Sequence, residues 1–476
     1  MLGAKDFVGA SGSRVRESLG PKMPRAKKLL KRKQKKQSAG GSLKKEKHDD
    51  KKNKEQVFPD DITKPIPIGH RLWVIPDLKR PDNIDYVSVV ERKNNDIPSA
   101  TPTPLGPPAE KKDVKVHPWR YYIHFVGRDR RMDRWVNYEQ LRFTGPDLNI
   151  EEHHDNHGFD EQSLKNHEEA TKVKNVDAIE IGPHVMETWY FSPFPAEYTK
   201  YRKLFFCEFC LSFFGLKSEL QRHSKKCTWT HPPGNEIYRS KDQNIEVAMF
   251  EVDGGKEIQY TQNICYIAKL FLDHKTLWED TTPFLFYVLT EVTSRGCCVV
   301  GYFSKEKSTE LVSHGNNVAC ILTLPCHQRK GFGKFLISLS YELSKLEGKT
   351  GSPEEPISDL GQQAYNSYWK GVILDILADP SHKEITIHQI SQMTSMTYKH
   401  IEQTLKALDI IQYDSAEGYM ISVPNSLIKS HMDKKKRIAA DKARKYVRPC
   451  DPKKVRWFPH HAKLLHKKAR VAAQNN

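Results

Sequence analysis

The chain has 476 residues, a formal net charge of +17 and an apolar fraction of 38%, below the roughly 45–50% usual for globular chains, so roughly two to four domains share the sequence with unpacked stretches. The charge implies a polyanionic partner, nucleic acid or chromatin, and no apolar run approaches the ~20 residues that span a membrane or supplies a signal-peptide core. Nine cysteines, scattered apart from one cluster, fit a reducing compartment with one metal site and argue against a disulfide framework.

Before Phe58 there are 18 Lys/Arg against six Asp/Glu and almost no apolar periodicity. Such a segment buries too little surface to offset its ordering entropy and reads as a disordered tail, residues 1–62. Its run Lys27–Lys36 fits a nuclear localisation signal, a DNA-contacting arm or a merely solvated stretch. Residues 63–145 follow as a small all-β unit. Alternating pieces at Arg71–Ile75, Tyr86–Val90, Arg120–Val126 and Arg134–Val136, then a helical turn at Tyr138–Leu141, predict an SH3-like barrel. A Pro-rich insertion, residues 93–116, interrupts it, and a charged, His-rich linker covers 146–178. Tyr121, Tyr122, Phe125 and Trp135 fit either barrel-core packing or an aromatic cage for methyl-lysine. Neighbouring strand residues point to opposite faces, so Tyr121 and Tyr122 do not share a pocket.

Further on, Cys207-x2-Cys210-x12-His223-x3-Cys227 has the ligand spacing of a ββα zinc finger. Phe214 and Leu220 stand where its two small-core residues belong. Base-reading fingers come as arrays, each covering about 3 bp; a single finger flanked by apolar segments braces a larger domain. Strands are predicted at Phe284–Thr290, Val299–Ser304 and Val318–Leu324. The last feeds the basic glycine loop Gln328-Arg-Lys-Gly-Phe-Gly-Lys334, and apolar positions 332, 335, 336, 339, 343 and 346 then keep a helical period. A strand, a glycine turn and a helix start expose backbone N–H groups and the positive end of a dipole to an anion. Helices around His388–Met393 and Tyr398–Leu408, then strands Ile410–Tyr413 and Tyr419–Val423 across Glu417-Gly418, predict a winged helix-turn-helix. Its continuation from Lys434–Arg437 reads as a surface helix or an arm.

Gln328-x-x-Gly331-x-Gly333 matches the pyrophosphate loop of acetyl-CoA-dependent N-acetyltransferases. With the finger, Thr188–Pro195, Leu270–Leu277, Pro283–Tyr287, Val300–Lys307, Asn317–Pro325, Ser340–Lys345 and Ser358–Gly361, the chain resembles a MYST-family histone acetyltransferase. The barrel resembles the chromo-barrel (Tudor-knot) domain of the subgroup that acetylates histone tails within large chromatin complexes. The resemblance implies a multidomain chain: a small all-β SH3-like barrel, then a mixed α/β acyl-CoA N-acyltransferase core with a ββα zinc finger and a C-terminal winged-helix-like segment. The transferase domain would span 179–460, with the finger at 205–230, the acetyl-CoA core at 241–370 and the winged segment at 371–458, before a basic tail at 461–476. Three departures stand out: His327 where the family usually has tyrosine, Lys330 where it usually has arginine, and a longer Ser308–Asn317 segment.

By the same resemblance the chain would move acetyl from acetyl-CoA to lysines of nucleosomal histones, the H4 tail foremost, as a nuclear enzyme within a multiprotein complex, with DNA or RNA contact through its basic tails. A non-catalytic chromatin reader is the first rival reading, and a zinc-finger DNA-binding regulator the second. Glu354 corresponds to the general base; without the resemblance, a Pro-flanked glutamate reads as a solvated loop residue. Cys320 would border the thioester, and direct attack aided by Glu354 is favoured over a covalent route through Cys320. Ile321 and Thr323 would offer strand-edge backbone to the cofactor arm. Gln328, Arg329, Lys330, Gly331, Phe332, Gly333, Lys334 and Phe335 would cradle the pyrophosphate, and Ser358 would contact the cofactor. Cys207, Cys210, His223 and Cys227 would hold zinc, and Lys275 matches a lysine such enzymes acetylate on themselves.

Overall fold

In the computed structural model, the described residues are 65–78, 84–94, 118–143, 173–242, 245–275, 279–307, 316–382, 384–414, 418–440 and 446–459. The tails 1–62 and 461–476, most of the 93–116 insertion and of the 146–178 linker, residues 308–315 and Glu417 lie outside them. β1 (Arg71–Val74), β2 (Asp85–Asn94), β3 (Trp119–Phe125), β4 (Arg134–Asn137) and β5 (Leu141–Arg142) form one antiparallel sheet in the order β4-β3-β2-β1-β5. Period-2 alternation puts Val87, Val89, Tyr121, Ile123 and Phe125 inside, with Leu72, Val74 and Val136. Tyr121, Tyr122 and Phe125 are all buried, so the described barrel uses its aromatics as packing. Tyr122 points the other way, against Trp135, with ring centroids 5.4 Å apart.

β6 (Ala178–Ile181), β7 (His184–Glu187), β8 (Lys203–Phe206) and β9 (Phe213–Phe214) make a four-stranded sheet that ends in the finger helix α1 (Lys217–Ser224). The central sheet follows: β10 (Asn235–Asp242) and β11 (Ile245–Asp253), then helix α2 (Ile258–Lys269), then β12 (Phe284–Thr293) and β13 (Gly296–Glu306). Its two faces separate by alternation along β11. Ala248, Phe250 and Val252 pack with α2 and the finger sheet, whereas Val247 and Met249 face α3 (Phe332–Glu347).

The predicted strand Val318–Leu324 is broken. β14 (Asn316–Val318) and β15 (Ile321–Thr323) stand on either side of Ala319-Cys320. At the break both residues face Ser304 of β13, as in a bulge: its carbonyl accepts from Ala319 N at 2.8 Å, its N–H donates to Cys320 O at 2.8 Å and its Oγ accepts from Cys320 N at 3.2 Å. β15 stays on the edge of the central sheet, while β14 turns away and pairs in parallel with β16 (Ser352–Pro353). α3 buries Phe332, Phe335, Leu336, Leu339 and Leu343 as the period requires, but Leu346 is exposed because the helix's last turn leaves the core.

α4 (Asp359–Leu377) runs unbroken through the division expected at 370/371. It packs with α5 (Ile387–Thr394), α6 (Tyr398–Ala407) and the wing strands β17 (Ile411–Asp414) and β18 (Gly418–Ile421). The basic run at Lys434–Arg437 belongs to a helix, α7 (Asn425–Ala440). Barrel and transferase meet directly: the Arg131 guanidinium donates to both carboxylate oxygens of Asp359, at 2.7 and 2.6 Å.

Candidate active site

The finger residues converge as their spacing predicts. Donor atoms of Cys207, Cys210, His223 and Cys227 all lie within 4.8 Å of one another. The Cys207 and Cys227 sulfurs are 3.9 Å apart, close to the edge of about 3.8 Å of a tetrahedron with ~2.3 Å Zn–S bonds. The donor set therefore fits a four-coordinate structural zinc. Phe214, one of the two expected small-core residues, packs its ring on His223 at 5.1 Å. Zinc there closes the finger and braces the sheet on which α2 lies.

The strand break creates the second site. Where β14 and β15 part, Cys320 opens into a cavity of about 180 Å³ that Lys275, Cys265, Glu354, Ser358 and Tyr365 also line. Glu354 follows β16 and donates its N–H to Val318 O at 2.8 Å, so the β14–β16 pairing fixes its backbone beside the break. Its side chain is exposed; the cleft does not itself desolvate it. Lys275, which a sequence reader would leave on the surface, is buried, with Nζ 3.8 Å from Cys320 Sγ. Burial works against its charge, but the Cys320 and Cys265 sulfurs more than offset that, and its pKa is raised. Burial pushes the Cys265 thiol up, opposed by Lys275. Sequence placed neither Lys275 nor Cys265 beside Cys320, since 45 residues separate Lys275 from Cys320 and no local pattern reports the contact.

The loop supplies the third part. Pro325–His327 is a 3-10 turn, Arg329 has φ 61° and Gly331 φ 92°, and α3 begins at Phe332. Among the described residues, no backbone carbonyl accepts from the amides of Arg329, Lys330, Gly331, Phe332, Gly333 or Lys334. Consecutive unpaired amides at the start of a 16-residue helix make an anion cradle, and Arg329, Lys330 and Lys334 add positive charge. Burial, with Lys434 assisting, lowers the Lys334 pKa.

The two glycines differ. A Cβ on Gly331 would come within 2.3 Å of Val447 O, whereas one on Gly333 would only touch Thr323 Oγ1 at 3.4 Å. Gly331 is thus demanded by the fold itself, through the 446–447 segment that bonds Lys330 O at 2.8 Å, an arrangement the sequence did not reveal. At the loop's other flank β15 is an edge strand, which among the described residues leaves the outer backbone of Ile321 and Thr323 unpaired apart from Gln328 Nε2 donating to Thr323 O at 3.2 Å. Phe335 is buried in the core behind the loop. Ser358 caps α4, its Oγ accepting from Gly361 N at 3.1 Å. His327 is buried, edge-on to His184 at 5.0 Å and to Phe332 at 5.7 Å. Burial brings its pKa down to about 4, with Lys330 and His184 adding to the shift.

A thiol and a carboxylate at one cavity, beside an edge strand and an amide cradle, can hold an acyl thioester with a phosphate-bearing tail and present it to a nucleophile. Comparison with known proteins agrees. The model of the MOZ/SAS family matches residues 231–449, that of the MYST family zinc finger domain 173–227, and that of the RNA binding activity-knot of a chromodomain 86–143. "Histone acetyltransferase of the MYST family 1" of Arabidopsis thaliana is 49% identical over 333 residues, 65% of this chain and 73% of the relative. "Histone acetyltransferase of the MYST family 2" of the same plant is 48% identical over the same shares. "Histone acetyltransferase esa1" of Emericella nidulans is 44% identical over 295 residues, 62% of this chain and 56% of the relative. With the cradle, the edge strand and the finger all formed, the chain belongs to the MYST family of histone acetyltransferases.

Proposed function

We propose that the chain transfers acetyl from acetyl-CoA to lysine ε-amines of nucleosomal histones, with the H4 tail as its main acceptor. The observation that carries this reading is the meeting of Cys320 and Glu354 at one cavity beside the strand break, with the amide cradle following β15 along the chain. Acetyl-CoA supplies the activated acyl group. A free lysine is only about 0.1% neutral near pH 7.4, so a base must take its proton, and Glu354 stands at the cavity to do so. The exposed carboxylate becomes desolvated when the acceptor peptide covers it. The amine attacks the thioester carbonyl, and the tetrahedral adduct collapses with departure of the CoA thiolate. Cys320 lines the acyl position, and Ile321 and Thr323 give edge backbone to the cofactor arm. Gln328, Arg329, Lys330, Gly331, Phe332, Gly333, Lys334 and Phe335 hold the pyrophosphate or support its loop, and Ser358, which lines the Cys320 cavity, contacts the cofactor.

We assign self-acetylation to Lys275, supported by its burial 3.8 Å from Cys320 Sγ; its raised pKa means that here too a neighbour must first accept the proton. The charge of +17 and a chromatin substrate support work in the nucleus with basic tails on nucleic acid, and the barrel joined to a transferase domain supports membership of a multiprotein complex.

Incubation of the pure chain with labelled acetyl-CoA and nucleosomes tests the reading. Label is expected on histones, mapped chiefly to H4, and on Lys275 by mass spectrometry. Glu354→Gln should slow transfer about 10²–10⁴-fold with acetyl-CoA affinity kept. Label on neither histone nor enzyme would instead make the chain a reader. Loss of nearly all single-turnover transfer in Cys320→Ala, with acetyl-CoA still bound, would favour the covalent route.

A further inference from the structure

His184 begins β7 of the finger sheet, and Cys326 and His327 lie in the 3-10 turn just before the cradle. One donor atom from each lies within 4.8 Å of the others. They border a separate cavity of about 100 Å³, which Glu208 and Cys298 also line. His327 is only 7% exposed, and its Nδ1 is buried without a hydrogen-bond partner. A buried imidazole nitrogen with nothing to bond is a poor core group.

We propose that His184, Cys326 and His327 form a second metal site, distinct from the finger, for a thiophilic ion of the zinc class. Two imidazoles and a thiol are the donor set that such ions select over magnesium or calcium. Tetrahedral edges in such sites run about 3.3–3.8 Å, so small side-chain rotations close the shell. Water has room in the fourth position, since it takes about 30 Å³. Metal binding displaces the thiol proton from Cys326. Lys330 Nζ donates to Cys326 O at 2.9 Å, which places an ammonium beside the turn. The same ammonium disfavours an ion held by charge alone, which again selects one that bonds to sulfur. The ion would pin the turn that leads into the acetyl-CoA loop against the finger sheet.

Native mass spectrometry of the full chain, dialysed and then given zinc, tests this directly. Two zinc ions per chain are expected for the natural sequence, and one, the finger's, for Cys326→Ser and for His184→Gln. Circular dichroism of each variant shows whether it has folded. A second readout needs no variant: zinc should protect Cys326 from alkylation, read by peptide mass spectrometry, at concentrations that leave Cys320 reactive. One zinc ion in the natural chain, an equal count in folded variants, or zinc-independent alkylation of Cys326 would each overturn the proposal.

Discussion

Two lysines of the transferase domain are buried to nearly the same degree and live in opposite ways. Lys305, 4% exposed, leaves β13 and ends 2.5 Å from Glu347 Oε1 at the last turn of α3. Burial lowers its pKa and Glu347 opposes the shift, so a carboxylate offsets the charge inside a sealed contact. Lys275, 7% exposed, has two thiols for neighbours and opens on the cavity that Cys320 lines. Among the described residues no carboxylate lies within ion-pair distance of it. A lysine fixed by a carboxylate is a strut; one held only by soft sulfur is available to chemistry. Acetylation would remove the Lys275 charge without orphaning a partner, whereas at Lys305 it would strip Glu347 of its buried partner and leave it only the more exposed Lys349, 3.3 Å from its Oε2.

The contrast predicts its own largest effect. Glu347→Ala strands the Lys305 ammonium and should destabilise the fold by about 3–5 kcal/mol, read from urea unfolding midpoints. Lys305→Met combined with Glu347→Leu should recover most of the loss, since burying neither charge avoids both desolvation penalties. A loss below about 1 kcal/mol for the single change would mean that the pair is no strut.

Next in size stand the loop glycines, which separate fold from function in the same way. Gly331→Ala forces a Cβ onto φ 92° and Val447 O and should lower stability by about 1–3 kcal/mol by thermal melting. Gly333→Glu meets no such obstacle in the fold; it should melt like the parent yet lose acetyl-CoA binding by calorimetry. Unchanged affinity would remove Gly333 from the cradle. Smaller still, Lys275→Met should shift stability by no more than about 1 kcal/mol in either direction, because no buried acid is left behind. A loss as large as that of Glu347→Ala would erase the distinction between the two lysines.

What the sequence disclosed follows the same division between local and tertiary causes. The barrel strands, the finger ligands and the loop before Phe332 rest on period and spacing, which short stretches carry by themselves. The Ala319-Cys320 break was hidden because Val318–Leu324 reads as one apolar run, and the partners met at the break, Ser304 on β13 and Ser352-Pro353 on β16, are distant in sequence. Glu354 was named only through family resemblance. Its position depends on a two-residue strand, β16, too short to leave a pattern. Val447 closing on Gly331 and Arg131 reaching Asp359 join distant parts of the chain, so no local signal announces them.

A third buried base shows the remaining way to manage such a charge, which is not to carry it. His400 on α6 is 3% exposed, stacks on Trp369 with centroids 4.1 Å apart, and its Nδ1 has no hydrogen-bond partner. Burial lowers its pKa from 6.5, Lys399 adds to the shift, and Glu355, which Lys399 itself holds at 2.7 Å, opposes it. The sign follows from linkage. Above the unfolded value near 6.5 neither state holds the proton, and stability is full. As pH falls below it, the unfolded chain takes a proton that the folded one resists, so stability declines. Chemical unfolding at pH 7.5 and 5.5 should therefore show a smaller acid loss in His400→Gln than in the parent. The difference should be modest, since Lys399 and Glu355 pull in opposite directions and other groups titrate over the same range. An identical acid loss would mean that His400 takes up its proton as readily in the fold as in the unfolded chain, so that burial does not keep it neutral.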